Sequence, residues 1–128
     1  MQWIWDKFIF CLTFAIGLMN GFDVALKSLV IIMVCDYITG ILSAIYNKKL
    51  SSKIGAKGIA KKCGYFLAVI LACVLDSLVG NTNVLRMLTI YFLVANDGIS
   101  ILENLGEMNL KLPKKLKEVL QQLKENNK

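Results

Sequence analysis

Lys27–Lys49, KSLVIIMVCDYITGILSAIYNKK, is the stretch whose reading decides the fold. From Leu29 to Tyr46 it is apolar apart from Thr39, Ser43 and one acid, Asp36. A helix of about 20 apolar residues crosses the hydrocarbon core of a bilayer, and this run approaches that length. Tyr46 stands where an aromatic belt residue stands, and Lys48 and Lys49 follow as a charged stop. An acid at the centre of such a span costs about 2.5 to 3.5 kcal/mol on insertion scales, so Asp36 has to face protein or water. Asp36, Gly40 and Ala44 lie four apart, which puts one acid and two small residues on a face that another helix can approach closely.

The rest of the composition agrees with a membrane class. The 128 residues are 56% hydrophobic, and the mean hydropathy is +0.59. A soluble domain of this size buries one core and does not carry several apolar runs of membrane length. The net charge is +6, from fourteen lysines and one arginine, with no histidine. The basic residues flank apolar spans and no nucleic-acid fold is recognisable, so nucleic acid is excluded as a partner. The four cysteines, Cys11, Cys35, Cys63 and Cys73, show no CxxC spacing and read as small buried apolar residues with free thiols. Without histidine there is no triad, no usual general base and no metal cluster. The residues imply no catalytic site, metal or cofactor.

Three further spans are expected. Residues 3–22 begin with Trp3 and Trp5 as interface anchors and contain Thr13, Gly17 and Gly21 at four-residue spacing. With no clear basic n-region and no small-x-small site before Asn20, this run is read as part of the mature chain and as one arm of a hairpin with residues 27–46. Residues 64–80 contain the row Gly64, Ala68, Ala72, Asp76 and Gly80. Residues 84–102 carry Arg86 near their start and Asn96, Asp97 and Ser100 near their end, with Asp97, Ser100 and Asn104 on one face. Residues 1–105 are thus the transmembrane helical domain. Residues 106–128 form a cytoplasmic amphipathic helix and tail, in which Pro113 opens a helix with Leu112, Leu116, Val119, Leu120 and Leu123 on one stripe. That helix lies on the membrane surface or packs on a partner helix, and the last four residues fray.

Lysine placement sets the topology. The segment from Asn47 to Lys62 holds Lys48, Lys49, Lys53, Lys57, Lys61 and Lys62 and no acid. Ser51 or Ser52 can cap a short helix running on toward the third span, the alternative being a solvated loop. With the tail after Glu103, this segment holds twelve of the fourteen lysines, which places both in the cytoplasm and the turns at 20–28 and 80–84 outside. Four spans put both termini inside. If residues 3–22 are only interfacial, three spans remain and the C-terminus is still cytoplasmic. Asp76 and Arg86 flank a tight turn and are expected to form an ion pair. Asp36 and Asp97 have no cation left in the membrane, so they are expected to be protonated, to bond across helices or to face water.

Several of these residues recur together in a known family. Asp36-Tyr37-Ile38-Thr39-Gly40, Lys48-Lys49-Leu50-Ser51-Ser52, Gly55-x-x-Gly58-Ile59-Ala60-Lys61-Lys62, Asp76, Arg86, Asn96 through Asn104 and Pro113 with its Leu/Lys helix resemble the lysis and toxin-secretion holins of Gram-positive bacteria and their phages. The likeness runs from about Gly21 to Leu123, with Asp97 where the family often has glutamate. It implies an all-α integral membrane protein of the bacterial cytoplasmic membrane, with three to four transmembrane helices and a C-terminal amphipathic helix. It also implies a homo-oligomer that forms timed lesions, with endolysin or toxin as passing cargo that is not specifically bound. Asp36, Gly40, Ala44, Ala68, Ala72, Asp76, Arg86, Asn96, Asp97 and Ser100 would then pack helices or line the lesion. The competing readings are a small ion or solute channel or transporter using Asp36, and a scaffold whose surface helix recruits a partner.

Overall fold

The computed structural model describes residues 1–19, 21–80 and 82–126. Asn20 and Asn81, expected in the two short turns, and Asn127 and Lys128 in the tail lie outside the described residues. Five helices follow in order: α1 Gln2–Leu18, α2 Val24–Tyr46, α3 Ser52–Val79, α4 Val84–Glu107 and α5 Lys114–Asn126. There is no strand among the described residues. Three helices, α2, α3 and α4, are long and apolar enough to cross a membrane. α1, with 17 residues, is not among them. Glu125 and Asn126, expected to fray, complete α5.

The starts of the three long helices are each capped by a side chain. Asp23 caps α2 by accepting from the Leu26 N–H at 3.0 Å, and Ser51 caps α3 by accepting from the Ile54 N–H at 3.3 Å. α3 therefore begins at Ser52: the helix that a serine cap can start runs unbroken into the third span, and most of the basic segment is helical. α4 follows Asn83, which takes the left-handed conformation at φ 64 and makes no side-chain cap. Its cap comes instead from α3, whose Asp76 accepts the N–H groups of Leu85 at 2.9 Å and Arg86 at 2.8 Å. A carboxylate at a helix N-terminus also meets the positive end of the helix dipole. Gly80 closes α3 at φ 125, a conformation that disfavours a side chain.

α4 is the hub, packing against α2, α3 and α5. Burial on it is accordingly not confined to one stripe: Arg86, Ile90, Leu93 and Asp97 lie on one face, and Ala95 and Gly98 on others. The apolar core gathers Leu26, Leu29, Met33, Val69, Cys73, Ile90 and Leu93. Of the cysteines only Cys73 is buried; Cys11, Cys35 and Cys63 are exposed, so the expectation of four buried thiols fails for three of them.

The small-residue rows are used unevenly. Gly40 faces α4, where a Cβ would stand 3.6 Å from the Asn104 amide nitrogen, and Ala44 and Ala72 are buried. Gly64 and Gly80, at the ends of their row, have nothing within 4 Å of an added Cβ. The face α3 does bury is Tyr65, Val69, Ala72, Cys73 and Asp76. The expected hairpin of α1 and α2 is not packed either. Gly17 meets nothing within 4 Å, and among the described residues α1 touches the core only through Ala15 and through Met19 just beyond its end. Trp3, Trp5, Phe8, Phe10 and Phe14 are exposed. α5 lies along α4, with Leu120 seated over Gly98 and the Lys124 ammonium 5.7 Å from the Phe92 ring.

Leucine at position 40 should drive a side chain into Asn104 and α4, and overpacking of this kind costs about 1 to 3 kcal/mol. Gly64→Leu adds bulk in open space and should cost little. Thermal unfolding of both variants in detergent checks this, and equal losses would refute the different roles of the two glycines.

Candidate functional site

The site is a charged layer inside the three long helices. Asp36 lies ten residues from the end of α2 at Tyr46, Lys62 ten from the start of α3 at Ser52, and Asp97 ten from the end of α4 at Glu107. At 1.5 Å per residue each is about 15 Å from the same, lysine-rich end of the bundle. The three side chains meet there. The Lys62 ammonium forms ion pairs with Asp36 and, at 2.8 Å, with Asp97. The three side chains are 13%, 8% and 0% exposed, in the order Lys62, Asp36, Asp97, so these are interior charges and not surface pairs.

Neutral donors complete the layer. Tyr65 donates its hydroxyl to Asp97 at 2.8 Å, and Asn96 donates to the Tyr65 oxygen at 2.7 Å. Asn104 donates to the Thr39 hydroxyl at 3.0 Å and to the Asp36 carboxylate at 3.3 Å, and Thr39 donates to the Asp36 carbonyl at 3.0 Å. Each carboxylate thus has a charged and a neutral donor, the condition under which burying a charge is tolerated. Among the described residues no buried side-chain nitrogen or oxygen lacks a partner. One ammonium stands between two carboxyl groups, so the layer holds one acid more than it holds cations. Ser100 stands beside the layer in a cleft that also contains Asp36 and Asn104.

Two expectations are corrected here. Asp36 and Asp97 do not lack a cation: they share Lys62, which the sequence assigns to the basic cytoplasmic segment. α3 starts early, so Lys62 falls inside it on the face of Tyr65, Val69, Cys73 and Asp76, at spacings of three, four, four and three. That spacing is present in the sequence, but grouping Lys62 with the six lysines of the basic segment hides it. Lys48, Lys49, Lys53, Lys57 and Lys61 are exposed as expected.

The second correction is at the opposite end. Arg86 does not pair with Asp76, whose oxygens are taken by the α4 backbone. Arg86 is fully buried and reaches across to Asp23 in a two-pronged pair, Nη1 at 2.9 Å and Nη2 at 3.0 Å. Its Nε donates to the Met19 carbonyl at 2.6 Å and Nη2 to the Gly21 carbonyl at 3.3 Å. One guanidinium therefore fastens the α1–α2 turn to the start of α4 and fixes the direction in which α1 leaves. Asp23 and Tyr65 were not singled out in the sequence, since neither stands in a motif. Among the described residues no group of three or more acids and cysteines is placed to hold a metal ion.

Comparison with known proteins gives the layer a family. The bacteriophage holin family model matches residues 13–125. The chain belongs to the bacteriophage holin family. A protein described as a probable holin in Bacillus phage phi105 is 32% identical over 102 residues, covering 80% of this chain and 76% of the phage protein. An uncharacterized 14.9 kDa protein of Clostridium perfringens is 40% identical over 110 residues, covering 85% and 82%. An uncharacterized Listeria monocytogenes protein is 44% identical over 98 residues, covering 77% and 70%. No solved structure matches the chain. The holin match includes every residue of the charged layer and the Arg86 fastening, and it leaves out the aromatic start of α1.

The Arg86 hydrogen bond holds the Asp23 carboxyl below the ordinary carboxylate range against a smaller opposing effect of burial. A carboxyl with a pKa lower in the folded than in the unfolded state stabilises the fold above its unfolded value, near 3.9. That contribution fades as the pH falls through the folded value. Asp23 is 48% exposed, so solvent weakens the effect. Asp23→Asn should remove the part of the acid destabilisation that begins near about pH 4, with no change in slope near neutrality. Unfolding midpoints followed through the acid range check this, and an unaltered acid limb in the variant would assign it to other carboxyls.

Proposed function

We propose that this holin-family chain oligomerises in the bacterial cytoplasmic membrane and opens timed lesions through which a cytoplasmic endolysin or toxin leaves without being bound. The observation that carries this reading is the family membership over residues 13–125. The role is non-enzymatic. In the closed bundle the Asp36–Lys62–Asp97 layer ties the three long helices together. When it comes apart it supplies a ready polar surface, with Asn96 and Ser100 beside it, for a water-filled wall. The packing of α5 supports a wet neighbour. Lys124 of α5 stands at Phe92, some fifteen residues from the basic end of α4, with Lys117 and Glu118 exposed on the same helix. Each such charge would cost about 2.5 to 3.5 kcal/mol against lipid, so this flank of α4 suits water in an assembly better than acyl chains. The channel reading needs Asp36 as a free acid, and Asp36 is already engaged by Lys62 and Asn104.

Expression in a bacterium tests the function. The account predicts an abrupt loss of membrane potential after a lag, with lysis only when a muralytic enzyme is present. Lys62→Met should alter the lag, because two acids then lose their shared cation. Steady, saturable ion flux without a lag would overturn the lesion reading in favour of a transporter.

The basic end of the bundle faces the cytoplasm in this reading, since lysines near an anionic surface contribute about 1 kcal/mol each. In a cysteine-free background, Ser51→Cys should resist an impermeant thiol reagent in intact cells, and Thr82→Cys should react. Gln2→Cys separates four spans, in which it is protected, from three, in which it labels. Labelling at 51 with protection at 82 would reverse the orientation.

A further inference from the structure

We propose that the gap between α2 and α3 binds one anionic phospholipid, its phosphodiester at Lys57 and Lys61 and an acyl chain in the apolar groove beyond Tyr37. α2 and α3 touch at few points, because both are packed chiefly on α4. Tyr37 bridges the gap. Its ring lies against Gly58, where a Cβ would stand 3.1 Å away, and its hydroxyl donates to the Gly55 carbonyl at 3.4 Å. On the lysine-rich side of Tyr37 is a cleft of about 480 Å³ that includes Lys57, Gly58 and Lys61, together with Asp36, whose charge is answered by Lys62. On the other side an apolar groove of about 330 Å³ runs between Val30, Val34, Ile59 and Phe66. Tyr37 and Lys62 line both. The pair therefore makes one amphipathic trough, polar at the end with lysines and apolar toward the middle of the bundle.

Charge selects the occupant. Lys57 and Lys61 are one turn apart on α3, exposed, and without an ion pair among the described residues; Lys61 lies 5.7 Å from the Tyr65 ring. Lys62 is spent on Asp36 and Asp97 and offers nothing to a ligand. Side chains four apart on a helix approach within about 5 to 6 Å at Cβ, so two ammonium groups can close on the two free oxygens of one phosphodiester. Lys57 is about 8 Å into α3 from Ser52 at the standard rise, the depth of the interfacial region, and Lys61 reaches back toward it along its own stem. A second protein helix would satisfy the apolar groove and would leave the two lysines unanswered.

The test uses the full chain purified in detergent, with lipid adducts counted by native mass spectrometry, so it does not depend on lysis. Phosphatidylglycerol should be retained and phosphatidylcholine should not. Lys57→Gln with Lys61→Gln should weaken phosphatidylglycerol binding about tenfold or more. Lys114→Gln with Lys115→Gln removes the same charge from α5 and should change it less than about twofold. Val34→Trp, which narrows the groove, should weaken binding several-fold while leaving the lysines in place. Millimolar glycerol phosphate should not displace the lipid. Equal retention of the two lipids, equal loss in the two lysine doubles, no effect of Val34→Trp, displacement by glycerol phosphate, or exchange of the lipid for a second copy of the chain would each overturn the proposal.

Discussion

The ammonium of Lys62, shared by Asp36 and Asp97, is the interaction on which the bundle depends. Inside a bilayer, helices gain little from burying apolar surface against one another, because lipid tails are as apolar as leucine. What holds them is close packing and the hydrogen bonds that polar groups cannot find in hydrocarbon. α2 and α3 barely touch each other; both pack on α4, and this one lysine is where all three are tied by charge. Removing one member of a buried pair leaves an uncompensated charge and costs about 3 to 5 kcal/mol. The layer is therefore a strong tie while it is complete and a strong reason to rearrange once it is broken.

The two ends of the bundle are secured differently. At the end away from the lysines, Asp76 caps α4 and Arg86 holds the turn before α2, so that end is tied through backbone groups that have few alternatives. At the lysine-rich end Ser43 donates to Glu107 at 2.7 Å, and a cleft bounded by Gly40, Ala44 and Lys49 remains open. A structure fastened at one end and cleft at the other can separate its helices without losing their starts. For the lesion-forming role proposed above, such a division between a fixed end and an opening end is mechanically apt. α1 takes no part in the bundle beyond its last turn, and its exposed aromatic residues are free to meet lipid or another copy.

Much of this was legible in the sequence. The run from Leu29 to Tyr46 gave a spanning helix because hydropathy and length are local properties. Asp36 and Asp97 were recognisable as buried acids because no lipid-facing position accepts them. The serine pair at 51 and 52 was recognisable as a cap, and the structure uses Ser51. The pairings were not legible, for a physical reason: a charge in a membrane protein takes whichever partner the fold brings to its depth, and nearness in sequence is a poor guide to that. Asp76 and Arg86 are ten residues apart and meet only through the backbone of Arg86, whereas Arg86 and Asp23 are sixty-three apart and meet side chain to side chain. Lys62 reads as cytoplasmic because it closes a segment of six lysines without an acid, although its spacing to Tyr65, Val69 and Cys73 places it on the buried face.

The most direct test of the account is a pair of double-mutant cycles on unfolding in detergent, one for Asp36→Asn with Lys62→Met and one for Asp97→Asn with Lys62→Met. Contacting charges in one network couple by about 0.5 to 3 kcal/mol, whereas independent sites add to within about 0.3 to 0.5 kcal/mol. The shared-lysine account predicts coupling at the upper part of that range in both cycles. Additivity in either cycle would mean that Lys62 does not bridge the two acids, and the three long helices would then have to be held together in some other way.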